Sequence, residues 1–193
     1  MATRVESAAR TRRALLDAAS ELLDAGGPDA VTLREVGNRA GVSRTAPYRH
    51  FADKEALLMA LAAQAWTVVA DSLAAIAGAD VEPRAALRSA LEALSDLGRT
   101  RPHLYRLMFA QPAADAIPAP VDEAAGRAQN VFLELVAAGT DVDDPRPYAG
   151  ILTAAAHGLT DLDLSGHLPV EKWHADRHRL IELLIELLPS GRA

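Results

Sequence analysis

Apolar residues recur along this chain at three- and four-residue steps, with little of the period-two alternation that marks a strand, so the pattern predicts an all-α protein. The first predicted helix covers about residues 8–25, with Leu15, Leu16, Ala19, Leu22 and Leu23 as its stripe, and Gly26, Gly27 and Pro28 end it. A second starts after Thr32, which suits a cap, and Glu35 three residues on completes a Thr-x-x-Glu capping box. Leu33, Val36 and Ala40 form its apolar face, and Gly41 suits a left-handed stop. Ser43 suits the cap of a third helix carrying Arg44, Thr45, Tyr48, Arg49 and His50. Asp53 then caps a fourth, which runs unbroken to about Ala77 over some 24 residues and roughly 36 Å.

Prolines punctuate the remainder of the chain. Pro83 and Pro102 open the fifth and sixth helices, and residues 111–120, with three prolines, read as a loop. A seventh helix covers about residues 121–138, Pro147 opens an eighth that reaches about Leu164, and a ninth covers about residues 170–188. The expected organisation is three helices and then six, with residues 1–52 as one domain and 53–193 as the other.

Helix, glycine-centred turn and basic helix, within residues 31–58 (VTLREVGNRAGVSRTAPYRHFADKEALL), make a helix-turn-helix, whose second helix enters the DNA major groove. The stretch resembles the DNA-binding domain of the TetR family of bacterial transcription regulators. The matching residues are Thr32, Leu33, Val36, Ala40, Gly41, Val42, Ser43, Tyr48, His50, Phe51, Lys54, Glu55 and Leu57, with Y-x-H-F closing the third helix and K-E-x-L opening the fourth. Two later words, RPHLYRLMF (101–109) and AHGLTDLDLSGHL (156–168), resemble a TetR subgroup with a Trp-His-Gly signature, although Ala156 stands where the Trp would be.

The resemblance implies an N-terminal helix-turn-helix domain, a C-terminal domain that binds a small-molecule effector and dimerises, and a repressor that the effector releases from a palindromic double-stranded operator. A short recognition helix, as in that family, puts Arg44 and Thr45 against base edges, Arg44 as a bidentate donor to guanine. Tyr48, Arg49, His50 and Lys54 then fall to phosphates, joined by Thr32 and Ser43 at helix starts. His50 has the alternative role of capping a helix C-terminus, Tyr48 that of half-core with only its hydroxyl on phosphate, and Phe51 reads as core that packs the head against the fourth helix. Pro47 departs from the Leu or Ile often found there and shifts where the third helix begins.

For an effector pocket, Trp66, Leu94, Leu104, Leu107, Met108, Phe109, Phe132 and Leu135 offer apolar walls, with His157 as a polar handle; plain core is the alternative for each. Arg106 and Asp161 read as surface charges. A dimer surface is expected on the eighth and ninth helices. The eighth is rich in small residues around Ala154 and Gly158, followed by Leu162; the ninth carries Ile181, Leu184, Ile185 and Leu188 in an apolar band wider than one contact needs. An internal core helix is the other reading of that band.

Composition narrows the alternatives. Half of the 193 residues are apolar but only 4 % are aromatic, so the core must be built from Ala, Leu, Val and Ile. The net charge of −6 is unevenly spread: residues 1–60 hold nine Lys/Arg against eight acids, and the remainder eleven against eighteen. An acidic body with a mildly basic head offers DNA one face only. Arg4, Arg10, Arg12 and Arg13 cluster where an N-terminal arm reaches phosphates, or where a tail is merely solvated.

The chain has no cysteine, no secretion signal and no apolar run of membrane-spanning length, so a cytoplasmic protein without a membrane partner is expected. Neither a phosphate-binding glycine loop nor a Gly-x-Ser-x-Gly elbow is present, and no enzyme activity or cofactor is expected. His174 and His178, four apart with His167 upstream, are the one metal-like spacing, opposed by Arg177 and Arg179. An ungated DNA-binding protein whose body only dimerises is the remaining alternative.

Overall fold

The computed structural model of the chain describes residues 3–110 and 117–189. Among them there are ten helices: α1 (Arg4–Ala30), α2 (Leu33–Arg39), α3 (Ala46–His50), α4 (Lys54–Ala77), α5 (Pro83–Thr100), α6 (Pro102–Phe109), α7 (Ala119–Gly139), α8 (Arg146–Leu164), α9 (Val170–Trp173) and α10 (Arg177–Glu186). The all-α expectation holds. Residues 111–116 of the expected proline-rich loop lie outside the described residues, and α7 begins at Ala119, just before the expected start. The chain forms two compact units, one from residues 1–65 and 103–122, the other from residues 66–102 and 123–193. The two units meet along the chain within α4, after Ala65.

In the first unit, α1, α2 and α3 pack on one another around Leu15, Leu23, Val31, Val36 and Leu57, all shut off from solvent. Each such side chain contributes about 1.5–3 kcal/mol by leaving water. The first helix starts four residues earlier than its apolar stripe suggests. Thr3 Oγ1 accepts from the Glu6 N–H while the Glu6 carboxylate accepts from the Thr3 N–H, a complete capping box. Arg4, Arg10, Arg12 and Arg13 accordingly stand on a helix and do not form an extended arm. At the other end Gly26 and Gly27 leave helical geometry where the sequence predicts a stop, and residues 28–30 add one more turn. Tyr105 of α6, not singled out by the sequence pattern, is the largest fully buried side chain, its ring 4.8 Å from that of Phe109.

In the second unit, α5 packs against α8 and α10, and α8 against α10, around Leu87, Leu91, Leu152 and Ile181. Glu82 caps α5, accepting from the N–H groups of Arg84 and Ala85, and those bonds hold its exposed carboxyl below the usual carboxylate range. Arg84 reaches the carbonyls of Gly139, Leu188 and Pro189, tying the ends of α7 and α10 together. Where α5 crosses α8, the buried Thr160 hydroxyl lies 2.8 Å from Ser95 Oγ and 2.7 Å from the Ala156 carbonyl, so neither hydroxyl is stranded.

The expected ninth helix is two. His174 adopts left-handed geometry (φ 51°), and Asp176 caps a fresh start by accepting from the Arg179 N–H. His174 and His178 therefore do not share one helical face. Farther on, Arg179 donates to Glu186 and Glu182, which raises its pKa above the ordinary value.

Arg177, which the sequence marks only as a charge opposing a metal at His174 and His178, is buried and donates to Asp96 Oδ1 at 2.7 Å, with Asp163 at 4.0 Å. Its side chain is 7 % exposed against 46 % for Asp96, so the two halves of the pair are not equivalent. Asp96→Ala strands a cation that cannot deprotonate and is expected to cost about 2–3 kcal/mol. Arg177→Met leaves a carboxylate that water can reach, and removes a buried Nη1 that has no partner among the described residues. Its expected cost is under about 1 kcal/mol. Urea unfolding of the two variants checks the order; equal losses would refute it.

Helix α4 is long and apolar enough, at a mean hydropathy of 1.5, to match a membrane span by length and composition. This departs from the reading of the sequence, which counts uninterrupted apolar residues. Its buried positions are Leu57, Leu58, Leu61, Ala62 and Ala65 in the first unit and Trp66, Ala70 and Leu73 in the second, so each part of the helix contributes to the core of its own unit.

Candidate nucleic-acid interface

The helix-turn-helix is built from the turn outward. Thr32 caps α2 by accepting from the Glu35 N–H at 3.1 Å, the first half of the expected box. At the other end, Val42 N–H donates to the Gly37 carbonyl and Gly41 N–H to that of Asn38, the paired bonds of a Schellman stop. Gly41 supplies the left-handed residue (φ 66°) that this stop requires. Gly37 has a different role. A Cβ there would lie 2.9 Å from Pro47 Cγ, so the glycine is the notch into which the start of α3 fits.

That contact explains a departure from the sequence pattern. The third helix does not start after Ser43. Residues 43–46 form a turn closed by Ala46 N–H donating to the Ser43 carbonyl, and Thr45, not Ser43, is the residue before the helix. Pro47 then sits at the second helical position, where its missing N–H costs no helical bond and its fixed φ suits the first turn. Arg44 and Thr45 consequently stand on the turn that leads into α3.

The eight residues expected to touch DNA all belong to the first unit. Thr32, Ser43, Arg44, Thr45, Tyr48 and Arg49 are exposed, Tyr48 at 58 %, while His50 and Lys54 are half-buried. Pro47 and Phe51 are buried on the opposite side and fix α3 to the core. Arg12 of α1 places its guanidinium 5.2 Å from the Phe51 ring centre, a contact not anticipated from sequence.

The residues expected around an effector divide between the units. Leu104 and Met108 are buried and Leu107 and Phe109 half-buried in the first; Trp66 is buried and Phe132 and His157 half-buried in the second. Leu107 and Met108 meet at a half-open cleft with Met59, Ala62, Ala110, Ile117 and Val121. It encloses about 10 Å³, room for one water molecule.

On the candidate dimer surface, Ala154 and Leu162 are exposed, and Gly158 and Leu184 half-buried. Ile181, Ile185 and Leu188, also expected there, are buried within the second unit itself, where α10 turns that side toward α5 and α8. The outward apolar positions are instead Ile151 (63 % exposed) with Leu162 on α8, and Leu183 and Leu187 (82 %) at the end of α10.

Among the described residues no group of three or more His, Cys, Asp or Glu is placed to hold a metal. The His178 ring is already engaged, Nδ1 at 3.3 Å from Glu92 and Nε2 at 3.0 Å from Arg177.

A capped helix, a left-handed glycine turn and a short, outward-facing basic helix define a helix-turn-helix DNA-binding protein with an additional helical unit. Residues 15–61 match the bacterial regulatory proteins of the tetR family, and residues 87–188 match the tetracyclin repressor-like C-terminal domain. The chain belongs to the tetR family of transcription regulators, which are DNA-binding proteins and not enzymes.

Among solved structures, one from Rhodococcus sp. RHA1 is 27 % identical, covers 93 % of this chain and 96 % of its own, and superposes with a TM-score of 0.79. A TetR family transcription regulator from Marinobacter aquaeolei VT8 is 22 % identical over 94 % of this chain and 96 % of its own (TM-score 0.66). The regulator FadR from Bacillus subtilis, solved with stearoyl-CoA, is 17 % identical over 94 % of this chain and 99 % of its own (TM-score 0.70). The last two likenesses bear on the fold alone. No curated protein matches the chain.

Proposed function

We propose that the protein is a dimeric cytoplasmic repressor, with a DNA-reading head over residues 1–52 and an effector-binding, dimerising body over 53–193. The observation that carries this reading is the solvent-facing row Arg44, Thr45, Tyr48 and Arg49, held outward by buried Pro47 and Phe51. On this reading Arg44 and Thr45 meet base edges, and Tyr48, Arg49, His50, Lys54, Thr32 and Ser43 meet phosphates. One head is too small to be specific alone, and two on a palindrome meet that need. The apolar positions left outward on α8 and α10 supply the second copy's contact.

Release by a small molecule would act through α4, a single helix from Lys54 to Ala77 that belongs to both compact units. An apolar effector that enlarges the cleft at Leu107 and Met108 would tilt α4 and shift the head it begins in. Half-sites one DNA turn apart, about 34–36 Å, tolerate little such shift. FadR, a protein of similar fold, was solved with stearoyl-CoA, a ligand that carries a long apolar acyl chain. The Trp-His-Gly resemblance around His157 suggests the subgroup to which the body belongs. A cleft with room for one water also favours a second reading, an ungated DNA-binding protein. Small molecules released on denaturing the purified protein, and able to weaken its DNA binding, would decide for gating.

The test of DNA reading is a pull-down of genomic fragments followed by footprinting at near-physiological salt, with a protected palindrome as the expected result. On the recovered fragment Arg44→Ala is expected to relax base preference by about 1–3 kcal/mol at its position. Lys54→Ala should weaken all sequences alike and lower the salt slope by about one. Equal loss of preference in both variants would overturn the division of roles.

A further inference from the structure

Gly37 holds both ends of the segment that leads from α2 into α3. Its carbonyl accepts from the Val42 N–H at 3.1 Å, and Pro47 Cγ lies 2.9 Å from where a Cβ on Gly37 would stand. The backbone there does not call for glycine. Gly37 sits inside α2, and the left-handed glycines among the described residues are Gly27, Gly41 and Gly166. Glycine disfavours a helix interior relative to alanine, so the close approach of Pro47 is what the residue serves.

Between these two anchors lie Ser43, Arg44, Thr45 and Ala46. Ala46 N–H donates to the Ser43 carbonyl at 2.9 Å, and Thr45 has φ −92° and ψ −12°, the third-residue geometry of a type I turn. Arg44 and Thr45 are therefore the two central residues of a turn tied at both ends to Gly37. Beyond it, Phe51 N–H donates to the Pro47 carbonyl at 2.9 Å, so the short helix α3 hangs from the same proline. We infer that Gly37 and Pro47 are a positioning pair for base reading. The ring seated in the glycine notch sets how far the Arg44–Thr45 turn stands out from α2, and so which base edges these side chains reach. This rests on the DNA-binding reading and deepens it: two buried residues that meet no DNA set its sequence preference.

Size decides how sharp the effect is. To restore ordinary carbon–carbon separation, an alanine at position 37 must push the proline ring away by about half an ångström or more. A ring cannot swing aside as a long side chain does, so the shift passes into the turn. Reading contacts need placement to within about 0.5 Å, whereas phosphate contacts carry no sequence information.

The experiment measures fluorescence anisotropy on the duplex recovered by footprinting, on copies with one base pair changed at a time, and on a random duplex. The proteins are wild type, Gly37→Ala, Pro47→Ala and the double variant, each checked by circular dichroism to be folded at the assay temperature. Gly37→Ala is expected to lower discrimination about tenfold at the base pairs whose preference Arg44→Ala relaxes, within the roughly 5- to 150-fold that one bidentate contact provides. Affinity for the random duplex and its salt slope should stay as in wild type. Pro47→Ala leaves the notch unfilled and should lose discrimination likewise. In the double variant the alanine methyl takes the space the ring has left, and discrimination is expected to recover most of the way, which is the mark of coupled sites. Unchanged preference in both single variants would overturn the inference. So would a double variant in which the two losses simply add. Equal weakening on every duplex, the random one included, would reduce the pair to a fold contact and overturn it too. If Gly37→Ala does not fold, Pro47→Ala and the double variant carry the comparison: recovery in the double supports the inference, and no recovery overturns it. A wild type without preference for any duplex removes the DNA-binding reading itself, and this inference with it.

Discussion

Leu183→Glu combined with Leu187→Glu is expected to hold the protein as a monomer and to weaken operator binding by about 10²–10⁴-fold, the avidity that two linked heads provide over one. Leu183 lies on α10 and Leu187 just past its end, and both are left outward by the packing of the second unit, as are Ile151 and Leu162 of α8. If they meet a second copy, each glutamate brings an unpaired charge into an apolar contact, a cost of several kcal/mol per group. Glu182 and Glu186 on the same helix already engage Arg179, which leaves that arginine little capacity to neutralise new carboxylates. Leu187, 82 % exposed, contributes little to the protomer's own core, and Leu183, 36 % exposed, contributes part of its side chain. Sedimentation and operator titration would therefore change far more than the unfolding midpoint at low concentration. Ile181→Ala is the counterpart. That side chain is fully buried inside the unit, and its truncation is expected to cost about 2–5 kcal/mol of protomer stability. A double glutamate variant that remains dimeric would move the subunit contact elsewhere.

The contrast between Leu187 and Ile181 shows where the sequence is legible and where it is not. A helix apolar around much of its circumference is recognisable from spacing alone, but spacing does not say which side meets its own chain and which is left over. The packing of α5 against α8 and α10 decides it. Punctuation is easier to read where the residue type is forced by geometry. Gly41 is left-handed, Thr32 and Asp53 accept from the N–H groups three residues on, and Pro83 opens α5.

Legibility fails where an ordinary residue takes an uncommon conformation. His174 is left-handed without being glycine, and so α9 and α10 read as one. Arg177 lies four residues before Ile181, on the core stripe, so its burial is available to the pattern; its charge argues for the surface, and Asp96 on a distant helix reverses that. In the candidate interface the exposed row is legible throughout. The start of α3 is not, because it depends on Gly37 and Pro47 meeting across the turn, a contact that a linear reading does not contain.

Gly27→Ala is expected to destabilise the first unit by about 2–4 kcal/mol, from two separable causes. Gly27 has φ 70° and ψ −171°, a region that is essentially closed to side chains, and forcing alanine into it costs about 1–3 kcal/mol. A Cβ there would also come within 3.1 Å of His103 Cε1 and Nδ1, tighter than ordinary contact, so the imidazole of α6 must give way. His103→Ala removes the second cause and leaves the first. In that background Gly27→Ala should still cost most of its strain, with a coupling between the two sites near 1 kcal/mol. Amide hydrogen exchange across α1, α2 and α3 is the suitable measure, because global unfolding of a chain with two compact units need not be a single transition. Loss of protection in those helices, with α5 and α8 unaffected, is the expected pattern. If the whole cost disappears once His103 is alanine, the glycine is there for the ring and not for the backbone. That outcome would make the junction of α1 and α6 a packing contact that other side-chain pairs could replace.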